Sequence, residues 1–135
     1  MTLKVLDLFS GIGGFSYAAE RLVGGFKTTQ FVEIDTYCQR VLHKNYPDVP
    51  IYHDITEFNA TEGQFDIITA GFPCQDLSVA GKQSGIGKGT RSGLFFEVLR
   101  LARQIQPKFI LFENVRNLLS HKEGETYQQI LQEIA

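Results

Sequence analysis

The sequence predicts an α/β fold built on a largely parallel sheet. Short apolar segments alternate with helical patterns along its 135 residues, as in parallel sheets that carry helices between their strands. Glycine, proline or acidic residues follow these segments, at the strand ends where ligands collect in open α/β sheets. With 43% hydrophobic and 21% charged residues, the composition is that of an ordinary globular domain. We therefore expect one domain whose strands lie in the order 3-2-1-4-5, with its functional residues along one edge.

The first half of the chain is predicted to contain three strands and two helices. A first helix runs from about Gly13 to Val23 and stops at Gly24-Gly25, because glycine ends helices readily. A second helix begins after Asp35, whose side chain suits an N-cap, and reaches about Tyr46. The predicted strands are Leu3–Phe9, Thr28–Ile34 and Ile51–His53.

The second half continues the pattern around a long loop. Phe65–Gly71 is apolar enough to be a strand buried on both faces. Glycines recur throughout residues 72–93, which predicts a loop of a length that is usually functional or disordered. Leu94–Gln106 is a predicted helix, Pro107–Glu113 a fifth strand and Thr126–Ile134 a last helix. The apolar stripe of the first of these helices is expected to pack in the core and comprises Leu94, Phe95, Val98, Leu101, Ala102 and Ile105.

Composition and cysteine usage exclude several classes of protein. The two cysteines, Cys38 and Cys74, are not spaced as C-x-x-C, so we expect neither a metal site nor a disulfide framework, and a reducing compartment such as the cytoplasm fits best. Cys38 lies in a helical stretch and is expected to be a packing residue. No apolar run is long enough to span a membrane, and no signal peptide is recognisable.

The charge distribution is uneven. The net charge of −2 argues against a purely electrostatic nucleic-acid binder, yet residues 74–108 carry six basic and two acidic side chains. This basic region is either a solvated surface or a surface that contacts a phosphate backbone.

Gly11-Ile-Gly-Gly14 forms a glycine turn between the first strand and the first helix. Such a turn allows backbone amides to approach a ligand closely. It does not match the dinucleotide fingerprint G-x-G-x-x-G, because Ser16 stands at the last glycine position. The turn is therefore either a binding loop for another ligand or an ordinary connection.

Two acidic residues follow predicted strands. Glu33 lies about 20 residues past the glycine turn, where a carboxylate is placed to hydrogen-bond ribose hydroxyls. Asp54 follows the third strand in the same way. Each is alternatively a capping or exposed carboxylate.

Two further segments carry the residue types of a nucleophilic site. Pro73-Cys74-Gln75 comes directly after a buried strand, which places Cys74 like a nucleophile, and Phe112-Glu-Asn-Val115 follows the next strand. In this order and spacing, Asp7-Leu-Phe-Ser-Gly-Ile-Gly-Gly-Phe15 and these two segments resemble the cytosine-C5 DNA methyltransferases, in particular the bacterial restriction-modification type.

The resemblance implies a Rossmann-like, S-adenosylmethionine-dependent methyltransferase fold and specific site residues. Cys74 would attack C6 of a flipped cytosine, and Glu113 would protonate or hydrogen-bond N3, with a pKa raised by an enclosed site. Glu33 would bind the ribose of S-adenosylmethionine and Asp54 its adenine. Its binding residues would be Phe9, Ser10, Gly11, Ile12, Gly13, Gly14, Glu33, Ile34, Asp54, Ile55, Pro73 and Leu94. Contacts to double-stranded DNA would come from Gln75, Ser78, Lys82 and Arg91, with no metal.

The resemblance covers only the N-terminal part of the family's catalytic domain. The Gln-Arg-Arg segment, the target-recognition region and the C-terminal segment are absent, so we expect residues 1–135 alone to be inactive and to need a second polypeptide. The alternatives are an incomplete subunit, a binding or regulatory fragment, or a relative that methylates cytosine in tRNA. Intact Pro73-Cys74-Gln75 and Glu113-Asn114-Val115 favour an enzyme.

Overall fold

The computed structural model of the chain describes residues 2–71 and 94–113. Their strands form one five-stranded, parallel sheet in the order β3-β2-β1-β4-β5, which confirms the predicted topology. The predicted loop at residues 72–93 and the predicted helix Thr126–Ile134 lie outside the described residues. The strands are β1 (Leu3–Leu8), β2 (Phe26–Val32), β3 (Ile51–Tyr52), β4 (Ile67–Ala70) and β5 (Phe109–Phe112).

Each described helix lies where the sequence predicts one. The first, α1 (Gly14–Tyr17), continues as a π-helical segment (Ala18–Val23) and ends at Gly24, which has φ +85°. Helix α2 (Thr36–Asn45) is capped by Asp35, whose carboxylate accepts the Cys38 N–H at 3.0 Å. Helix α3 (Phe95–Ile105) precedes β5. None of the helices in residues 2–71 and 94–113 is long and apolar enough to cross a membrane.

The core lies in two clusters of buried side chains. The larger cluster joins Leu6 and Leu8 of β1 and Ile68 of β4 to α3, whereas the smaller one joins Phe31 of β2 to α2 and its following turn. The predicted stripe of α3 packs as expected, with Leu94 and Ala102 only half-buried at its margins. Leu99 is also buried, although the stripe did not include it.

Strand β5 is one of the two edges of the described sheet. It pairs with β4 on one side only, and the side chains of Phe109 and Leu111 are 64% and 50% exposed. The sheet therefore ends on a strand with an apolar face that none of the described residues covers.

Candidate functional site

The carboxyl ends of the strands surround a cavity of about 640 Å³. Its walls come from the segments that follow β1, β2, β3 and β4 and from the start of α3. Since parallel strands end at the same edge, residues far apart in sequence meet here, as predicted. The lining residues are Phe9, Val32, Glu33, Ile34, Asp35, His53, Asp54, Ile55, Gly71 and Leu94.

The turn after β1 has an unusual backbone. Phe9 has φ +54°, Gly11 φ +58° and Gly13 φ +92°, all in the left-handed region that favours glycine. Phe9 is held there by its N–H, which donates to the Val32 carbonyl at 2.9 Å. The turn is thereby fixed to the end of β2, beside the cavity.

Gly13 is the position where a side chain would fit least well. A Cβ atom there would lie 3.0 Å from Leu42 Cδ2 and 3.2 Å from Tyr46 Cε2, whereas one at Gly11 or Gly14 would meet nothing within 4 Å. This close packing holds the turn against α2 and the residue that follows it.

We expect Gly13→Ala to lower the free energy of unfolding by about 2 kcal/mol or more, because left-handed strain and overpacking both contribute. Chemical denaturation measures the change. Gly14→Ala is the matched control, since Gly14 has neither a positive φ nor a close neighbour. Equal stability of the two variants would contradict this account of the turn.

Glu33 connects the glycine turn to the start of α2. Its Oε1 accepts the Gly11 N–H at 2.7 Å, and its Oε2 accepts the Asp35 N–H at 2.8 Å. Two backbone donors thus fix the carboxylate at the cavity wall. Each oxygen keeps a further lone pair for a ligand hydroxyl.

Asp54 is also fixed by its neighbours. Its Oδ1 accepts both the Thr56 hydroxyl at 2.8 Å and the Thr56 N–H at 2.9 Å. These two hydrogen bonds hold the pKa of Asp54 below its ordinary value. Oδ2 has no hydrogen bond to the described residues, so Asp54 offers the cavity an ionised acceptor.

Four lining residues were not predicted to be in the site: Val32 and Gly71, which end or follow strands, and the polar Asp35 and His53. Asp35 is the predicted cap, and the Cys38 N–H lowers its pKa, but it also lines the cavity. The sequence analysis predicted His53 only as the last residue of the third strand. Its Nδ1 lies 2.9 Å from Gln39 Nε2, which also donates to the Glu33 carbonyl at 2.6 Å. The position of His53 directly before Asp54 was the sequence signal that could have placed it in the site.

The glycine turn does not lie wholly at the main cavity. Ile12, Gly13 and Gly14 line a separate cavity of about 330 Å³ together with Tyr17, Arg21, Asn45 and Tyr46. The main cavity thus brings together Phe9, Glu33, Ile34, Asp54, Ile55 and Leu94 of the predicted set. Gly11 reaches that cavity through its hydrogen bond to Glu33.

Glu113 follows β5 beside the cavity. Its N–H donates to the Ala70 carbonyl at 3.0 Å, and a Cβ atom at Gly71, a lining residue, would be 3.1 Å from Glu113 Oε2. The side chain is exposed in this structure, in contrast to the enclosure that the resemblance implied. Pro73, Cys74, Gln75, Ser78, Lys82 and Arg91 lie outside the described residues.

The cavity is acidic. Three carboxylates line it, and the described lining residues include no lysine or arginine. A ligand with phosphate groups would be repelled, whereas a ligand that carries hydroxyl, amino or cationic groups fits. The apolar side chains of Phe9, Ile34, Ile55 and Leu94 supply surface for a flat ring.

Known proteins similar to this chain modify DNA. A family model described as C-5 cytosine-specific DNA methylase matches residues 3–135. Type II methyltransferase M.HhaI from Haemophilus parahaemolyticus is 40% identical over 129 residues, which are 95% of this chain and 38% of that protein. Type II methyltransferase M.HpaII from Haemophilus parainfluenzae is 43% identical over 130 residues, which are 93% of this chain and 35% of that protein.

A solved structure shows the same fold. It is a candidate DNA modification methyltransferase encoded within a prophage of E. coli, with 30% identity and a TM-score of 0.76. The match covers 98% of this chain and 38% of that one. The chain thus spans little more than a third of the length of these relatives.

Proposed function

Because this chain belongs to the C-5 cytosine-specific DNA methylase family, we propose that it is the cofactor-binding and catalytic part of a DNA (cytosine-5)-methyltransferase. The methyl donor is S-adenosylmethionine, and the substrate is cytosine in double-stranded DNA. The observation that carries the proposal is the acidic cavity at the sheet edge, where Glu33 and Asp54 are fixed with free acceptor capacity.

The cavity suits S-adenosylmethionine in size and chemistry. A volume of about 640 Å³ is within the usual range for a site that holds one small molecule. Glu33 accepts hydrogen bonds from the ribose hydroxyls, and Asp54 accepts one from the exocyclic amine of adenine. Ile34, which is 64% exposed, and Ile55 pack on the ring. When bound, the cofactor supplies a methyl group made electrophilic by its positive sulfur.

The chain's own residues activate the cytosine. C5 of cytosine is a weak nucleophile, so the Cys74 thiolate first adds to C6, and the electron pair displaced toward C5 makes that carbon nucleophilic. Glu113 donates a hydrogen bond or a proton to N3 during this addition, a role supported by the closeness of its carboxylate to Gly71, which lines the cavity. Once C5 carries the methyl group, its proton passes to a base such as solvent water, and the electron pair left at C5 re-forms the C5–C6 double bond as the Cys74 thiolate leaves C6.

DNA must present the base outside the helix. The ring face of a stacked cytosine is inaccessible, so the enzyme flips the base into the site. Gln75, Ser78, Lys82 and Arg91 follow Cys74 in sequence and are proposed to contact the DNA around the flipped base. The setting is a bacterial restriction-modification system in the cytoplasm.

Residues 1–135 are proposed to be the N-terminal part of the catalytic domain. Relatives of this chain are about two and a half times its length, so sequence readout and closure of the cofactor site are assigned to further polypeptide. We accordingly expect no sequence-specific methylation from these 135 residues alone.

Calorimetry with S-adenosylhomocysteine tests the cofactor site. We expect Asp54→Ala to weaken binding about tenfold, because the adenine amine loses an ionised acceptor. Asp48→Ala is the control, since Asp48 is exposed in the turn that precedes β3. Equal affinity of wild type and Asp54→Ala would remove Asp54 from the site, and absence of binding by an assembled enzyme that contains this chain would refute the cofactor assignment.

A further inference from the structure

Arg100 is a partly buried arginine on α3 to which the proposed mechanism gives no role. Its Nη2 donates to the Ile55 carbonyl at 2.9 Å and to the Phe58 carbonyl at 2.8 Å. Its Nη1 donates to Asn59 Oδ1 at 2.9 Å. All three acceptors belong to the turn after β3 (residues 54–60), so one guanidinium joins this turn to α3.

Two neighbours on the same face of α3 support Arg100. Glu97, one turn earlier, accepts the Arg100 Nε–H through its Oε2 at 2.7 Å. Gln104, one turn later, donates to Asn59 Oδ1 at 3.1 Å and accepts the Ala60 N–H at 3.0 Å. Residues three and four apart on a helix are neighbours, so these side chains form one polar face that grips the turn after β3.

The turn after β3 in turn fixes the carboxylate of Asp54. Asp54 Oδ1 accepts the N–H and the hydroxyl of Thr56, and the Asp54 carbonyl accepts the Glu57 N–H at 3.1 Å. Strand β3 is only two residues long and ends at Tyr52, so the ladder of the sheet stops before Asp54. Beyond the strand, the backbone of the turn is held by its own hydrogen bonds and by α3.

The same contacts connect two walls of the main cavity. Ile55 lines the cavity from the turn, and Leu94 lines it from the start of α3. The side chains of Ile55 and Phe58 also pack in the larger core cluster, but apolar packing has no preferred direction. The guanidinium of Arg100 fixes direction as well as distance, because its N–H groups form a rigid, planar fork.

We propose that Arg100 is a positioning residue of the cofactor site, which holds the turn after β3 against α3 and so places the Asp54 carboxylate at the cavity wall. The inference rests on the proposed function, in which Asp54 accepts a hydrogen bond from the adenine of S-adenosylmethionine. Arg100 is not among the residues that line the cavity, so it acts on the ligand through Asp54 and Ile55. Loss of the guanidinium moves this wall and leaves the wall that carries Glu33 in place.

The test is a double-mutant cycle, read as affinity for S-adenosylhomocysteine by calorimetry on an assembled enzyme that contains this chain. We expect Arg100→Met to weaken binding about five- to tenfold, because it displaces an ionised acceptor. Asp54→Ala should cost about tenfold alone but about twofold or less when combined with Arg100→Met, since a displaced carboxylate has less affinity to lose. Arg103→Met is the matched control and should change neither value, because Arg103 is exposed on the same helix.

The opposite wall of the cavity separates positioning from a general loss of structure. Glu33 is held by the N–H groups of Gly11 and Asp35, and no hydrogen bond of the described residues joins it to Arg100. Glu33→Gln should therefore weaken binding by the same factor with and without Arg100→Met. A merely structural role of Arg100 would change the effects of Glu33→Gln and Asp54→Ala alike.

Arg100→Lys repeats the cycle if Arg100→Met does not fold. Lysine keeps a positive charge beside Glu97 but lacks the planar fork, so it should reduce the effect of Asp54→Ala in the same direction by a smaller factor. An effect of Asp54→Ala that is equal with and without the substitution at Arg100 overturns the proposal, as does an equal reduction for Glu33→Gln. Failure of the unsubstituted enzyme to bind S-adenosylhomocysteine overturns the cofactor assignment instead.

Discussion

Cys74→Ser is expected to lower methyl transfer by more than about 1000-fold in an assembled enzyme that contains this chain. A serine hydroxyl has almost no alkoxide at neutral pH, whereas a cysteine provides thiolate in useful amounts. Without addition to C6, position 5 of the ring does not become nucleophilic. Cofactor binding is expected to persist, because the groups proposed to hold the cofactor, Glu33 and Asp54, lie elsewhere in the chain. Single-turnover transfer of labelled methyl groups to DNA measures the loss.

Cys38→Ser is the matched control for this experiment. Cys38 lies in α2, where its N–H donates to the capping side chain of Asp35, and burial raises the pKa of its thiol, so a smaller fraction of it is thiolate at neutral pH. DNA that carries 5-fluorocytosine at the target should form a stable adduct with wild type, because fluorine does not leave as a proton does. Mass spectrometry should find the adduct on the peptide that contains Cys74. An adduct on another residue, or an active Cys74→Ser enzyme, would refute the assignment.

The topology of the sheet followed from the sequence because its signals were local. Each apolar run had a breaker at its end, and Asp35 had the residue type and position of a cap, which its bond to the Cys38 N–H confirms. The second strand was placed two residues too late, at Thr28–Ile34 instead of Phe26–Val32. Phe26 pairs with Leu3 of β1, so β2 begins two residues earlier than predicted. Glu33 lies just after β2, and its N–H donates to the carbonyl of Tyr52 in β3. Pairing between distant strands is not visible in a local pattern.

The contents of the cavity were only partly predictable, for a related reason. Glu33 and Asp54 follow strands, and parallel topology brings such positions together. His53 joins them because β3 is only two residues long, so the chain leaves the sheet one residue earlier than predicted. The split of the glycine turn between two cavities depends on how Gly13 packs against Leu42 and Tyr46.

The hydrogen bonds around the buried side chain of Asp7 were not predicted from the sequence. Asp7 opens the segment by which the family resemblance is recognised, but only the three-dimensional contacts show that the Ser16 and Thr69 hydroxyls donate to its carboxylate and that Thr28 bonds to Ser16. A strand that is otherwise apolar and holds one acid was the available sequence signal.

Glu113→Gln is expected to lower the rate of methyl transfer by about 100-fold or more, since a general acid typically contributes that much. Glutamine preserves the size of the side chain and can still donate a hydrogen bond to N3, but it has no proton to transfer. The rate of adduct formation with 5-fluorocytosine should fall in parallel, because N3 assists the addition itself. Quenched-flow measurement of both rates with saturating cofactor tests this expectation.

Two variants define what the loss at Glu113 means. Glu62→Gln changes an exposed glutamate between β3 and β4 and should leave both rates unchanged. Gly71→Ala retains Glu113 but places a methyl group 3.1 Å from its Oε2, so the carboxyl group must move by a few tenths of an ångström. If Glu113 acts directly on the base, this displacement should slow adduct formation by about tenfold, since catalytic groups depend on position at that scale. Full activity in Glu113→Gln would show that the strand-end carboxylate is structural and that N3 is assisted by another group.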